Sequence, residues 1–281
     1  MGKPIPQRPL DARLGARDMV APARSAAGAA RKVPEIILAF WLAKLLTTAL
    51  GEATSDYLVY HYDKYKAVEA GFVALAIALG LQFLVRRYVA WVYWLAVLMV
   101  AVFGTMAADV VHLVLGVPYL NSTIGFAIAL AVIFAVWYLS ERTLSIHSIY
   151  TPRRELFYWA TVMTTFALGT AAGDLAAITF RLGYLDAGIL FAIVIAIPAL
   201  AWRFAHLNPI VAFWFAYIVT RPLGASFADW FGKPVNLRGL GYGDGPVVAV
   251  LTVALVALVA YLAITRADVK PEGAHPAPLG R

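Results

Sequence analysis

Four aspartates recur at one position of a repeated sequence pattern, and they are the residues best suited to chemistry. Each follows a tryptophan and a glycine at constant spacing, W-x9-G-x4-D, as in WLAKLLTTALGEATSD. The aspartates are Asp56, Asp109, Asp174 and Asp229, and Glu52 lies one helical turn before the first of them. Carboxylate oxygens bind hard cations such as Mg²⁺, Mn²⁺ and Ca²⁺. The pattern therefore predicts a site for cations or protons that is built from repeated acids.

The sequence around these acids is apolar, which places them in membrane helices. Of the 281 residues, 62% are hydrophobic and 14% are charged, whereas a soluble domain is about a quarter charged. Apolar runs of about 20 residues, enough to cross a hydrocarbon core of roughly 30 Å, recur along the chain. We predict an all-α, polytopic integral membrane protein with eight transmembrane helices, at about 34–58, 70–86, 90–115, 120–140, 155–180, 186–204, 208–231 and 246–265.

The W-G-D pattern occupies every second predicted helix, so the repeating unit is predicted to be a two-helix hairpin. The membrane domain, 33–266, then consists of four tandem parallel repeats, at about 33–86, 87–141, 153–204 and 207–266. We expect the W-G-D helices to form an inner ring and the other helices an outer layer against lipid. The segments 1–32 and 267–281 are predicted to be disordered cytoplasmic tails.

The basic residues predict the orientation of the chain in the membrane. Sixteen of the 23 Lys and Arg residues fall on the side of the termini and five on the opposite side. The positive-inside rule then places both termini in the cytoplasm, and we expect a multi-pass protein of the bacterial inner membrane. Because this placement accounts for the net charge of +7, no nucleic-acid partner is expected. The absence of cysteine excludes disulfides and thiolate metal sites.

Two further positions of the pattern are interpreted as packing and anchoring residues. Each glycine is followed four residues later by a small residue, and such faces allow helix backbones to approach closely in lipid. The predicted packing glycines are Gly51, Gly104, Gly169 and Gly224. The tryptophan and the aromatic residue before it are interpreted as part of the aromatic belt at the membrane interface.

The charges inside the predicted helices do not balance. The four aspartates and Glu52 face only two bases, Lys44 and Arg221, which we expect to form intramembrane ion pairs. The deficit of three positive charges must be supplied by protons or bound cations. We therefore predict the four aspartates as metal ligands, Glu52 as a further ligand or proton carrier, and His112 as a proton relay. The alternative interpretation is that each aspartate caps or bridges helix ends.

The most typical copy of the repeat, KVPEIILAFWLAKLLTTALGEATSDYL, resembles a bacterial family of membrane-anchored proteins built from tandem copies of a repeat of unknown function. The resemblance covers about residues 33–265 and implies a topology and a membrane location, with no settled activity. The second and fourth copies depart from the Thr-Thr pair of the first, with Val100-Ala101 and Thr220-Arg221 in its place.

These observations favour a membrane transporter of a small cation, divalent and of the Mn or Mg type, with proton coupling as one form of the mechanism. The chain is not expected to be an enzyme or to hold a cofactor other than the transported ion. Its expected partners are the lipid bilayer and the cation or proton, and an oligomer is left open. One alternative is a structural or scaffold protein of the inner membrane. The least favoured is an intramembrane enzyme, because Gly241-Tyr242-Gly243-Asp244, which resembles the GxGD of intramembrane aspartyl proteases, falls in a predicted loop.

Overall fold

The computed structural model describes residues 31–269, which fold into eight long α-helices. The helices are α1 (Leu38–His61), α2 (Lys64–Leu84), α3 (Ala90–Asp109), α4 (Tyr119–Glu141), α5 (Pro152–Asp174), α6 (Tyr184–Phe204), α7 (Pro209–Gly232) and α8 (Asp244–Thr265). π-Helical turns extend α3 over Val110–Val114 and α5 over Leu175–Thr179. Most of the two predicted tails lies outside the described residues.

Helix starts coincide with residues that satisfy free backbone N–H groups. The side chains of Asp63, Thr151 and Asn208 accept hydrogen bonds from N–H groups in the first turns of α2, α5 and α7. Proline occupies the first turn of α5 and of α7, where its missing N–H costs nothing. Local sequence therefore sets where these helices begin.

The helices α1, α3, α5 and α7, here called the W-G-D helices, form a closed inner ring. In the ring, α1 packs on α3 and α7, and α5 packs on the same two helices. The aromatic residues at their N-terminal ends contact one another, as Phe40 does with Trp94 and Phe213. The four helices therefore run parallel, with equivalent positions at equivalent depth.

The outer layer is connected differently from the predicted hairpins. Among the outer helices, α2 packs most extensively on α3, and likewise α4 packs on α5, α6 on α7 and α8 on α1. Each W-G-D helix is thus covered mainly by the helix that precedes it in the chain, with α8 closing the circle on α1. The hairpin partners α1 and α2 share a much smaller contact. The contact is small because each outer helix covers the W-G-D helix that follows it in the chain, and not the one that precedes it.

Seven of the helices in residues 31–269 are long and apolar enough to cross a membrane, and the outer ones among them are the least buried. Exposed apolar side chains follow their outer faces, as expected for surfaces in contact with lipid. The remaining helix, α1, has 24 residues, but Lys44, Glu52 and Asp56 interrupt its apolar sequence. The finding indicates a membrane protein.

Three of the four motif tryptophans are buried inside the protein, which corrects their interpretation as interfacial anchors, whereas Trp41 is partly exposed. Trp94, Trp159 and Trp214 are at most 4% exposed and pack inside the ring. The preceding aromatic residues are buried with them, and the hydroxyl oxygens of Tyr93 and Tyr158 lie 2.5 Å apart. We call this cluster the aromatic layer. The rings turn inward because four parallel helices bring the same bulky position to one level, where the side chains fill the axis together.

The residues just before α1 are held against the N-terminal end of the ring. Lys32 forms a buried ion pair with Glu155 at 2.5 Å, and Gln82 donates to the same carboxylate at 2.9 Å. The backbone N–H of Glu35 donates to the carbonyl of Asp268 at 2.9 Å. The last two residues of the predicted N-terminal tail, Arg31 and Lys32, are therefore part of the folded domain.

Candidate functional site

The motif glycines bring the four ring helices into direct contact. A Cβ atom added at any of them would lie between 2.0 and 2.7 Å from a side-chain atom of the neighbouring helix. Each glycine meets the residue that stands three positions before the glycine of the next repeat. The contacts are Gly51 with Ala101, Gly104 with Phe166, Gly169 with Arg221, and Gly224 with Thr48. The same glycine contact therefore recurs at all four helix interfaces of the ring. It places the polar residues that follow each glycine at one depth along the ring axis.

A buried guanidinium crosses the axis at that level. Arg221, on α7, is fully buried, and its Nη2 donates to the carboxylate of Glu52 and to the hydroxyls of Thr105 and Thr170. The bond to Thr170 Oγ1 is 2.8 Å long, and Nη1 donates to the carbonyl of Thr48 at 3.3 Å. We call this arrangement the arginine clasp. It joins α7 to each of the other ring helices.

The clasp follows from the register of the repeat. Glu52, Thr105 and Thr170 all stand one residue after the motif glycine, and the fourth residue at this position is Ala225. Three polar side chains thus point to the axis from one level, and α7 leaves the fourth place without a polar group. Arg221, one turn earlier on α7, fills that place. Thr105 and Thr170 were not among the predicted site residues, although the repeat itself aligns them with Glu52.

Lys44 does not form the predicted ion pair with an acid. Its ammonium is buried, with Nζ 3.8 Å from the ring centroid of Phe166 and 4.2 Å from that of Tyr217. Within the described residues Nζ has no hydrogen-bond partner. The nearest acid along α1, Glu52, lies two turns further on, about 12 Å along a helix, and is bound by Arg221. Aromatic faces therefore take the place of a carboxylate.

Three acids converge on the side of the clasp away from the aromatic layer. One carboxylate oxygen from each of Glu52, Asp56 and Asp229 lies within 4.8 Å of the others. We call these three residues the acidic cluster. The predicted neighbourhood of Glu52 and Asp56, one turn apart on α1, is therefore observed, and α7 adds Asp229. Oxygen atoms at this spacing match the ligands of a hard cation.

A lysine that the sequence placed in a loop reaches this cluster. Lys233 follows the last residue of α7, and its Nζ donates to Asp56 and lies 3.8 Å from Asp229. Burial lowers the pKa of the Lys233 ammonium, but the carboxylates of Asp229 and Asp56 more than compensate, and the pKa is raised above its ordinary value. The only sequence signal for this contact is the four-residue spacing from Asp229, which holds when the loop continues the helix.

The other two aspartates do not join the cluster. Asp109 and Asp174 are partly buried at the ends of α3 and α5, and within residues 31–269 neither carboxylate makes a hydrogen bond or an ion pair. Asp109 lines a groove of about 300 Å³ with Lys64, Tyr65 and Leu113. The predicted equivalence of the four aspartates is therefore incomplete. Two are bound by Lys233, and two are unpaired.

His112 is not brought to the acids as the sequence predicted. Its Nδ1 lies 2.6 Å from the carbonyl oxygen of Val117, and its ring stacks on Tyr119 at 3.3 Å between centroids. The helix changes to π-helical bonding directly after Asp109, so residues three apart no longer share one face as in an α-helix. The side chain instead fastens the turn between α3 and α4.

The acids and bases of the site are closer to equal in number than the sequence suggested. Five acids (Glu52 and the four aspartates) face three bases, Lys44, Arg221 and Lys233. The formal deficit is two positive charges rather than three, because Lys233 enters from the loop. Within the described residues, Asp109 and Asp174 are the two of these acids with no base at ion-pair distance.

The fold and site define a helical membrane protein with a repeated, acid-bearing inner ring. Three segments of the chain, 92–143, 157–207 and 212–268, match the family described as Repeat of Unknown Function (DUF347). Together they cover more than half of the chain, and the chain belongs to this family. Each segment contains one W-G-D helix and the helix after it, and α1 and α2 lie outside the matched segments. Comparisons with curated proteins and with solved structures found no match.

Proposed function

We propose that the chain transports a small cation, of the divalent Mn²⁺ or Mg²⁺ type, across a bacterial inner membrane. The single observation that supports this most is the convergence of Glu52, Asp56 and Asp229 within 4.8 Å inside a ring of parallel helices. Carboxylate and hydroxyl oxygens without sulfur are the ligands that hard divalent cations prefer. Charged side chains placed between membrane helices commonly belong to ion or proton pathways.

The two unpaired aspartates of the ring favour a divalent ion over a monovalent one. Asp109 and Asp174 contribute two negative charges, and within the described residues no base lies at ion-pair distance from either. One divalent cation, or two protons, would restore neutrality, whereas a monovalent ion would leave one carboxylate unbalanced. The proposed pathway therefore includes Asp109 and Asp174 beside the acidic cluster, with exchange of the ion for protons on release.

The proposed pathway is closed on the side of the ring that holds the aromatic layer. The arginine clasp spans the axis below the acidic cluster, and the aromatic layer fills the axis beyond it. Passage of a cation requires that Arg221 release Glu52 and that the aromatic layer separate. The proposal includes α1 as a membrane-crossing helix, eight crossings in total, with basic loops and both termini in the cytoplasm. The acids then face the outside.

The test is flux measured with reconstituted protein. In proteoliposomes, an Asp109→Asn/Asp174→Asn double variant should lose at least about tenfold of Mn²⁺ uptake, because two ionisable ligands become neutral amides. The matched control is Asp186→Asn, since Asp186 is an exposed acid in the first turn of α6, away from the cluster. Gel filtration of each variant shows that folded protein is compared. Uptake by the double variant equal to that of the control would contradict the proposal.

A scaffold role without transport is the second candidate, and the arginine clasp favours it. A single guanidinium joins all four ring helices. An acid whose role is purely structural needs such a partner, which binds the acid and ties the helices together. On this alternative, the aspartate variants lower the melting temperature and no cation raises it. Transport predicts instead that Mn²⁺ raises the melting temperature of the wild-type protein and not that of the double variant.

A further inference from the structure

Lys233 occupies the place among the acids that a free cation would take. Its ammonium donates to Asp56, lies 3.8 Å from Asp229 and stands 5.1 Å from the ring centroid of Tyr60. The Lys233 side chain is only 12% exposed although it begins a loop. Glu52, the third member of the acidic cluster, is bound by Arg221 on the opposite side. The cluster is therefore occupied from both sides by cations that belong to the protein.

The cluster also retains bonding capacity that Lys233 does not use. Asp229 is 6% exposed, and within the described residues its carboxylate accepts no hydrogen bond. Its distance from the ammonium, 3.8 Å, is too long for one. Burial of a carboxylate costs desolvation free energy, and at this distance no hydrogen bond offsets that cost. Asp229 is thus the group that gains most when a closer cation arrives.

Hydrogen bonds from the loop after α7 hold the backbone of Lys233 in position. The N–H groups of Leu240, Gly241, Tyr242 and Gly243 donate to the last carbonyls of α7 and to that of Lys233. Gly239 passes so close that a Cβ atom there would lie 2.0 Å from the Lys233 carbonyl oxygen. The backbone is fixed by these bonds, whereas the four-carbon side chain can rotate. Only the ammonium needs to move for Asp56 and Asp229 to become available.

We infer that Lys233 is a tethered counter-ion, which occupies the acidic cluster when no ion is bound and must leave before Glu52, Asp56 and Asp229 bind a divalent cation. This inference rests on the proposed function, since it assigns the competitor at the same site. The bound ammonium lowers the net negative charge of the empty cluster and excludes weakly binding cations. A divalent ion displaces it because the ion carries twice the charge and accepts several oxygen ligands at once.

The test compares Mn²⁺ binding to the purified full-length chain by titration calorimetry. Lys233→Gln should bind Mn²⁺ about tenfold more tightly than wild type, because a unit positive charge a few Å from the ligands is removed. Lys233→Arg should bind as weakly as wild type. The matched control Lys66→Gln removes an exposed lysine from the same side of the molecule and should leave the affinity unchanged. Equal affinities for Lys233→Gln and wild type would overturn the inference.

A second measurement uses the wild-type protein and does not depend on how the variants fold. Saturating Mn²⁺ should increase the rate at which an amine-reactive reagent modifies Lys233, followed by mass spectrometry with Lys66 as internal reference. An unchanged rate in the presence of bound Mn²⁺ overturns the tethered counter-ion and leaves the transport proposal intact. If neither the wild type nor Lys233→Gln binds Mn²⁺, the proposed function and this inference both fail.

Discussion

Arg221 shows how the ring holds a charge within the membrane domain. Its guanidinium has no exposed surface and bonds to one carboxylate, two hydroxyls and one carbonyl from the other three ring helices. The planar fork of an arginine can reach these acceptors from one position, which the single ammonium of a lysine cannot. The four-helix clasp is thus a property of this side chain at this position.

The clasp predicts a large difference between single and double substitutions. Arg221→Leu should destabilise the protein by about 3–5 kcal/mol, because Glu52 becomes a buried carboxylate without its cation. The double variant Arg221→Leu/Glu52→Leu should recover most of that loss, since no uncompensated charge is left. Thermal or denaturant unfolding in detergent, followed by tryptophan fluorescence, measures both. A double variant no more stable than Arg221→Leu would show that the ion pair is not the source of the effect.

At the scale of helices, the motif glycines decide how closely the ring can pack. Around the ring, each glycine contacts the residue three positions before the next glycine, so four equivalent interfaces share one geometry. Because lipid provides no hydrophobic drive for association, close backbone contact is a main source of stability between these helices. The polar level at Glu52, Thr105 and Thr170 depends on this register.

A glycine inside the ring should therefore respond to substitution differently from a glycine outside it. Gly51→Ala should destabilise by about 1–3 kcal/mol, because its Cβ would lie 2.3 Å from that of Ala101, which has no rotamer to adjust. Gly80→Ala is the matched control, since no atom lies within 4 Å of its added Cβ. It should be neutral or stabilising by about 0.5–1 kcal/mol. Melting temperatures of the two variants check the prediction, and equal losses would refute it.

At the scale of the whole molecule, the decisive question is whether α1 crosses the membrane with the other helices. It stands in the ring between α3 and α7 and carries two of the three converging acids, although it is the one long helix of the described residues whose sequence does not qualify as a membrane span. A helix surrounded by protein on most sides can carry such charges, because its neighbours and not lipid meet them. The ring therefore explains why α1 tolerates Lys44, Glu52 and Asp56.

The crossing can be mapped with single cysteines, because the chain contains none of its own. Leu38 and Tyr62 flank α1 and are 75% and 61% exposed. In intact cells, a membrane-impermeant maleimide should label a cysteine at 62 and label one at 38 only after permeabilisation. Lys64 and Arg86, which flank α2, provide the reference pair for an apolar crossing. Labelling of 38 and 62 from the same side would exclude α1 as a crossing helix.

The amino-acid sequence by itself determined the helices and the level of their polar residues. Each of the predicted apolar segments corresponds to a helix with ends within a few residues, because hydrophobic length and capping residues act locally. The constant spacing from tryptophan to glycine to aspartate also placed the glycines at common positions, since parallel helices of one period keep equivalent residues at equal depth.

Only the tertiary structure decided which neighbours those residues meet. Tertiary packing decided three features of the fold. It placed each outer helix on the ring helix that follows it, it buried Trp94 and its buried equivalents, and the π-turn removed His112 from the acids. Lys233 illustrates the reason most clearly. Its spacing from Asp229 is local, but its bond to Asp56, 177 residues earlier in the chain, requires α7 to pack on α1, which no local pattern encodes.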